Sequence, residues 1–555
     1  MPRSIACLLT LCAIAAAAAV PPALPVPDPD DGAISLPPGF RALVVADNLV
    51  VDRKVGNNSE NLRGIAVASN GDLYVKGKFG GIFALRDTNG DGRADEIKQF
   101  GPGDGGTHIL FHDGWLYHSS RTTVYRHKYT PGQLIPAGAP QVVVSGLPAE
   151  RDHDAKAFAF DEQGHMLVEI GSPYNVYSEP DRQRGAKGMD PTEFQKKYGG
   201  FWRFDANRLK QTQADGTRFS TGHRHAVALA WNGVSKSFFM VQNGRDNLDV
   251  VDPVHYDALD NAERVSEVMH LIREGSNFGW PFSYWDPIKK AHMLSPEFGG
   301  DNFKRIDPDP YDKPVVAFPA HWAPLQLAMY TGTQFPEKYR GGAFVAFHGS
   351  WNRAPRPQAG YLVAFVPFDT QGMPTGAYEV FADGFAGRDE FVRTRDARFR
   401  ACGIAVGPDG SLYITDTEKG RIWRVIYTGE TSTARVGAAS PAATAAAADD
   451  GSRGAKLYQQ MCAACHMPDG SGVAGMQPSL IGSGVVSGDA ATLIRATLHG
   501  PAQVLPASRP KYTNQMPPFA AAMNDADLAD TLTFVRKVFG KGASAVTASD
   551  IARQR

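Results

Sequence analysis

Gly64-Ile65-Ala66-Val67-Ala68-Ser69-Asn70-Gly71-Asp72-Leu73-Tyr74-Val75 is echoed by Gly403-Ile404-Ala405-Val406-Gly407-Pro408-Asp409-Gly410-Ser411-Leu412-Tyr413-Ile414. Each copy is an apolar run, an Asn-Gly or Asp-Gly dipeptide and a second apolar run, which reads as strand, tight turn, strand. Weaker copies begin near Thr107, Ala157, Ala226 and Leu325. Starts about 45 residues apart, wider where loops are inserted, mark a repeat of small sheets rather than alternating strands and helices. Six such units predict an all-β, six-bladed propeller over residues 35–428. A β-sandwich leaves the recurrence of one hairpin unexplained.

Downstream, Cys462-Ala463-Ala464-Cys465-His466 places two thiols where they can form thioethers to haem vinyl groups, with a histidine beside them for the iron. A zinc half-site would need a second cysteine pair, and a redox dithiol has no use for the histidine. Ala455, Tyr458 and Cys462 recur at helical spacing, leading one helix face up to the first thioether. Asn524-Asp525-Ala526-Asp527 reads as a helix start, and Leu528, Leu532, Val535 and Phe539 continue one apolar stripe that Gly540 ends. Between the two helices, Met516 sits on the proline-stiffened stretch Asn514-Gln515-Met516-Pro517-Pro518-Phe519, suited to a soft axial ligand opposite His466. Met461, Met467, Met476 and Met523 are rivals for that position, although methionine is more often core filler. Residues 452–541 resemble a small class I, all-α cytochrome c domain, which implies covalent haem c.

The first residues carry one early charge, Arg3, and an uncharged run over 5–20 that ends in alanines, as in a secretory signal cleaved near residue 19. The run is short for a membrane span and prolines follow it at once. With that segment removed, Cys402 has no partner beside the two haem cysteines, so stability must come from a core rather than a disulfide. A formal net charge of −1 excludes bulk attraction to nucleic acid or an anionic membrane. Residues 429–451 are rich in Ala, Ser, Thr and Gly without apolar periodicity and read as a flexible linker, of roughly 25–30 Å span. The expected location is periplasmic or secreted.

Polar clusters stand next to the repeated strands. Arg151-Asp152-His153-Asp154 precedes the third, Gly222-His223-Arg224-His225 the fourth and Arg398-Phe399-Arg400 the sixth. With their order they resemble the soluble quinoprotein sugar dehydrogenases, six-bladed propellers that bind pyrroloquinoline quinone (PQQ). The resemblance implies that Asp152 and His153 form the catalytic element, that Arg224 lies beside the quinone carbonyl, and that Arg398 and Arg400 bind the cofactor. It also likens Asn277-Phe278-Gly279-Trp280-Pro281 to the family's turn after the fourth blade. In the same way, Gln242-Asn243-Gly244-Arg245-Asp246 resembles the loop whose backbone carbonyls hold Ca²⁺, making Gly244 and Arg245 the ligands. Departures line the same pocket. His225 stands where glucose-oxidising members have asparagine and His108 where they have glutamine. Their cofactor-binding lysine has no clear equivalent around 347–353, where Arg353 is the candidate. These changes point toward the sorbosone and pyranose dehydrogenase branches. Trp322 is expected to offer its flat face to a quinone or sugar ring.

The chemistry suits these residue types. Oxidising a hemiacetal hydroxyl needs a base, and imidazole titrates near neutrality, so His153 is the natural choice with Asp152 orienting it. Arginine pairs bind carboxylates through forked donors that lysine lacks. Asp87-Thr88-Asn89-Gly90-Asp91-Gly92-Arg93-Ala94-Asp95 resembles the first half of an EF-hand loop, with Asp87, Asn89, Asp91 and Asp95 as candidate calcium ligands, although Lys98 stands where the bidentate glutamate belongs. The sequence thus predicts a PQQ-dependent sugar or alcohol dehydrogenase with its own haem c. It would pass electrons to a soluble or membrane-bound acceptor, cytochrome or quinone-linked, with no nucleic acid and no membrane span. The alternative is a propeller that binds or hydrolyses a sugar lactone, fused to a cytochrome.

Overall fold

The computed structural model describes residues 24–149, 152–388, 390–429, 451–467, 470, 472, 477–506, 512, 516–520, 522–540 and 542–555. The expected signal segment and most of the linker, with Arg151, Met476, Asn514 and Gln515, lie outside these residues.

Six antiparallel sheets follow one another around a ring. Their innermost strands are Leu62–Val67, Ile109–His112, Phe158–Phe160, Ala228–Asn232, Pro324–Met329 and Ala401–Val406, close to the repeat starts read from the sequence. The sixth sheet takes its outermost strand from the beginning of the chain. Phe40–Ala46 pairs antiparallel with Ile422–Tyr427, from Phe40 opposite Tyr427 to Val44 opposite Trp423, and a bulge precedes Ala46 opposite Ile422. The ring is closed by hydrogen bonds between its first and last strands. Buried apolar residues fill the layers between blades, the largest cluster lying between the fifth and sixth. There Phe40 meets Phe335, Tyr339 and Phe381 edge to face, with centroids 4.7–5.2 Å apart.

The repeated turns are alike in detail. Asp72 pairs with Arg86 through two hydrogen bonds of 2.8 and 2.6 Å, and Asp409 holds Arg424 at 2.8 Å, so in each case the residue at the turn clamps the third strand. Gly71 and Gly410 supply the positive φ that the turns require. One expectation is corrected. The stretch Asn277 to Pro281 does not follow the fourth blade but interrupts it, between its third strand, Glu267–Ile272, and its outermost, Val316–Phe318. Ser276–Asn277 instead adds in parallel to the third blade, and the Trp280 indole donates to the Asn175 carbonyl at 3.0 Å.

The C-terminal unit is helical. Helix Arg453–Met461 crosses helix Asp525–Val538 at Gly454, where a Cβ would stand 2.2 Å from the Asp530 carbonyl oxygen, so only glycine permits the approach. Asn524 caps the long helix by accepting from the Asp527 N–H at 2.9 Å. Leu528, Leu532, Val535 and Phe539 form the buried stripe, packed with Tyr458. The unit runs past residue 541, because helix Ala548–Ala552 packs on the long helix through the buried Ile551. Among the described residues no helix is long and apolar enough to cross a membrane.

Candidate active site

In an antiparallel blade, the segment entering the first strand and the connection leaving the second lie at the same end, opposite the first hairpin turn. Six blades therefore gather those twelve segments around one mouth. The polar clusters of the sequence occupy these segments.

His153 sits at positive φ, 59°. Its Nδ1 lies 2.6 Å from the Ser172 carbonyl, which fixes the proton on Nδ1 and leaves Nε2 with a free lone pair. Desolvation, then the charges of Arg224 and His225, hold its pKa well below the usual imidazole range, so it is neutral at pH 7. Asp152 does not orient it. That side chain is 49% exposed and lies 3.3 Å from Arg182 Nη2, because the positive-φ turn at His153 sends the two side chains apart. The histidine's partner is a backbone carbonyl. The His225 ring lies beside His153, tilted by 34° with centroids 4.6 Å apart.

Arg224 is buried and donates to the Gly244 carbonyl and to Asp246 Oδ2, both at 2.8 Å. Asp246 is the hub of the mouth. It also accepts from Arg182 Nη1 at 2.9 Å and Asn352 Nδ2 at 2.7 Å, and faces His321 Nδ1 at 3.5 Å. Burial alone would raise its pKa, but Arg224, His321 and Arg182 hold it well below the carboxylate range. The side chain of Arg245 is spent on a buried two-pronged pair with Glu297, at 2.5 and 2.9 Å, leaving only its carbonyl for a cation. Behind the Gly244 loop, Glu267 accepts from the Gly244 N–H at 2.8 Å, and burial pushes its pKa up to about 7.

Across the mouth, Arg353 is 4% exposed, yet its Nε and Nη1 have no partner, and burial lowers its pKa to about 10. Arg400 spans the His348 and Gly349 carbonyls at 3.0 Å each. Arg63, not singled out from the sequence, is in electrostatic contact with Arg400 and Glu418. Arg398 is exposed, its guanidinium over the Phe399 ring at 5.1 Å. His108 is buried with Nε2 unpartnered and a pKa lowered to about 4 by burial. Trp322 is a correction: it is packed between the fourth and fifth blades against Phe347 and Tyr378, and Gly360 crowds the indole, so it has no free face for a ring.

Asp87, Asn89, Asp91 and Asp95 lie at the turn end, away from the mouth. Their oxygens accept from the N–H groups of Gly90, Gly92, Asp91, Arg93 and Thr88 at 2.7–2.9 Å, so the loop is closed by its own hydrogen bonds. In the helical unit, Cys462 is half-buried, Cys465 exposed, and His466 Nδ1 lies 3.0 Å from the Pro478 carbonyl. That bond fixes the tautomer and leaves Nε2 for a metal. Met516 packs at the edge of the helical core, whereas Met523 is buried in it and Met461 is exposed.

Glu169, Asp246 and Glu267 are the residues sequence reading passed over. The available signal for Glu169 and Glu267 was a lone carboxylate in a strand whose other residues are apolar apart from one histidine, as in His165–Ile170 and Glu267–Ile272.

Comparison with known proteins gives a matching picture. A cytochrome c subunit of a quinone-type alcohol dehydrogenase from Gluconobacter oxydans is 37% identical over 106 residues, 19% of this chain and 22% of that protein. A pyrroloquinoline quinone-dependent pyranose dehydrogenase from Coprinopsis cinerea is 26% identical over 231 residues, 37% of this chain and 29% of that protein. The chain spans less than two thirds of the length of each curated relative it matches here. The solved iodide structure of the Trichoderma reesei carbohydrate-active enzyme of family AA12 shares the propeller fold, with a TM-score of 0.57 at 18% identity over 71% of this chain and 98% of that one. The cytochrome c family model matches residues 451–539 and the TrAA12-like model residues 43–428, so the chain belongs to the TrAA12-like family and carries a C-terminal cytochrome c domain.

Proposed function

We propose that the mouth binds PQQ and oxidises the hemiacetal or hydroxyl carbon of a sugar, and that the cytochrome domain delivers the electrons to an external acceptor outside the cytoplasm. The observation that carries this reading is Arg353, a buried guanidinium with two nitrogens that have no hydrogen-bond partner and with Glu263 as its neighbouring carboxylate, on the connection that leaves the second strand of the fifth blade at the mouth end. Buried guanidinium donors without acceptors are costly, and a polycarboxylate ligand removes that cost. PQQ is such a ligand, and when bound it supplies the hydride acceptor. The chain's own residues do the rest. Arg353 and Arg400 hold carboxylates, Arg398 adds long-range attraction at the rim, and the carbonyls of Arg245 and, once released by Arg224, Gly244 would hold Ca²⁺. Nε2 of His153 takes the hydroxyl proton, with Ser172 keeping its tautomer. His108, kept neutral by burial, and His225 line the pocket toward cofactor and sugar. Cys462 and Cys465 would hold haem c covalently, His466 and Met516 would bind its iron, and the group would supply one-electron transfer. A lactone-hydrolysing propeller needs a carboxylate cage on its axis, and no group of three metal-binding side chains forms among the described residues.

The test is a PQQ titration of the cofactor-free protein with Ca²⁺ present. Stoichiometric binding is expected, weakened by about 2–5 kcal/mol in Arg353→Ala, followed by haem reduction when an aldose is added. No binding, or equal binding by the variant, overturns the reading.

A further inference from the structure

The exposed position of Asp152 leaves the proton-accepting histidine without a carboxylate, although a histidine that gains a proton beside Arg224 and Arg182 needs one. The fold supplies it elsewhere. Glu169 leaves the second strand of the third blade with 0% exposure, one of its oxygens 3.5 Å from His225 Nδ1 and 4.0 Å from His223 Nε2. The same oxygen accepts from the Ala226 N–H at 3.4 Å, and its other oxygen has no partner. The further groups facing it are Lys156 and His108. On its far side the His225 ring lies against His153, which also faces Arg224, Arg182 and the Ser172 carbonyl. Asp246, the other buried carboxylate near His153, is already engaged by two arginines.

We propose that Glu169 is the counter-charge of the proton-transfer step, a positioning residue that acts through His225 on the imidazolium formed at His153. In that step the substrate O–H bond breaks and its proton bonds to Nε2 of His153, with no electron transferred. The positive charge so created lies one imidazole away from a buried carboxylate, and in a low-dielectric interior that separation still matters. His225 is then the coupling element. Burial raises the Glu169 pKa, but the imidazoles of His225 and His223 and the charge of Lys156 outweigh it, so the carboxylate is ionised well below neutrality. This inference rests on His153 being the base.

The experiment is a double-mutant cycle on the full chain with E169Q and H225N. E169Q alone is expected to lower kcat roughly 10–100-fold, the size typical for an outer partner of a functional imidazole, with KM little changed. The acid limb of kcat/KM is expected to move to lower pH, because removing a negative charge makes the neighbouring imidazole harder to protonate. In the H225N background E169Q is expected to cost less than about twofold. An undiminished loss there, or an unmoved limb, overturns the proposal. Should E169Q not fold, E169D keeps the charge at longer range, and histidine-ring NMR of the cofactor-free protein is then expected to show His225 and His153 shifting together. Unchanged rings overturn the proposal. H153Q separates the two readings: full turnover there refutes the base, whereas the coupling of Glu169 to His225 is measured without it.

Discussion

The propeller mouth and the haem-binding loop are built by opposite means. The loop draws Cys462, Cys465 and His466 from five consecutive residues, on a helical unit whose interior is apolar and whose helix ends are capped. The mouth draws its groups from all six blades and buries charges to hold them: Asp246 alone joins partners 64 and 106 residues away. A contiguous motif tolerates change around it, whereas an assembled site stores its geometry in buried pairs, each of which is costly to leave half made.

Substitutions can break that contrast, and the largest effect is expected at His153, the proposed base. His153→Gln is expected to lower turnover by roughly 10²–10⁴-fold with PQQ binding retained, while Asp152→Asn, which removes a half-exposed ion pair, changes it by less than about fivefold. Steady-state rates decide, and equal losses would restore Asp152 as the orienting group. Asp246→Ala is expected to destabilise the propeller by about 3–5 kcal/mol by leaving the buried Arg224 without its carboxylate, read from urea unfolding.

The third effect is pH-dependent. Glu267 titrates at about 7 in the fold against 4.5 for the free side chain, so the fold favours its protonated form. Its contribution is full below pH 4.5 and is lost as pH rises through about 7. Glu267→Gln is therefore expected to stabilise the cofactor-free protein at pH 8 by up to about 3 kcal/mol and to have little effect at pH 4.5. Melting curves at the two pH values check this. The smallest effect belongs to the helical unit, where Asn524→Ala loses a cap for about 1 kcal/mol without touching the mouth. A loss of dehydrogenase activity toward artificial dyes in that variant would show the two units to be coupled.

These differences also explain which parts could be read before the fold was known. Blade count was legible because the glycine-bearing turns that set each hairpin, Asn-Gly or Asp-Gly in the clearest copies, are local, and the long C-terminal helix because its cap and stripe are local. His153, Arg224 and Arg353 were legible by type. Their partners were not: Ser172 serves through a carbonyl that any residue carries, and Glu169 and Asp246 gain meaning only when separate blades meet. Asp152 and Trp322 show the converse error, since a residue adjacent in sequence or suitable in shape can face away from the mouth.

The sixth blade is woven from the first strand of the propeller and its last three, so the ring stays an open horseshoe until residue 427 has been made and delivered. His153 and Arg224 belong to blades complete well before that moment, but Arg400 arrives with the final blade on the opposite bank of the mouth. The first strand must wait, without its partner strand, for nearly the whole domain, which makes closure a long-range and therefore slow event. A ligand gripped from both banks would bind the closed ring alone and act as a clasp on it. The supply of cofactor where the protein finishes folding would then set how long the seam stays shut against proteases.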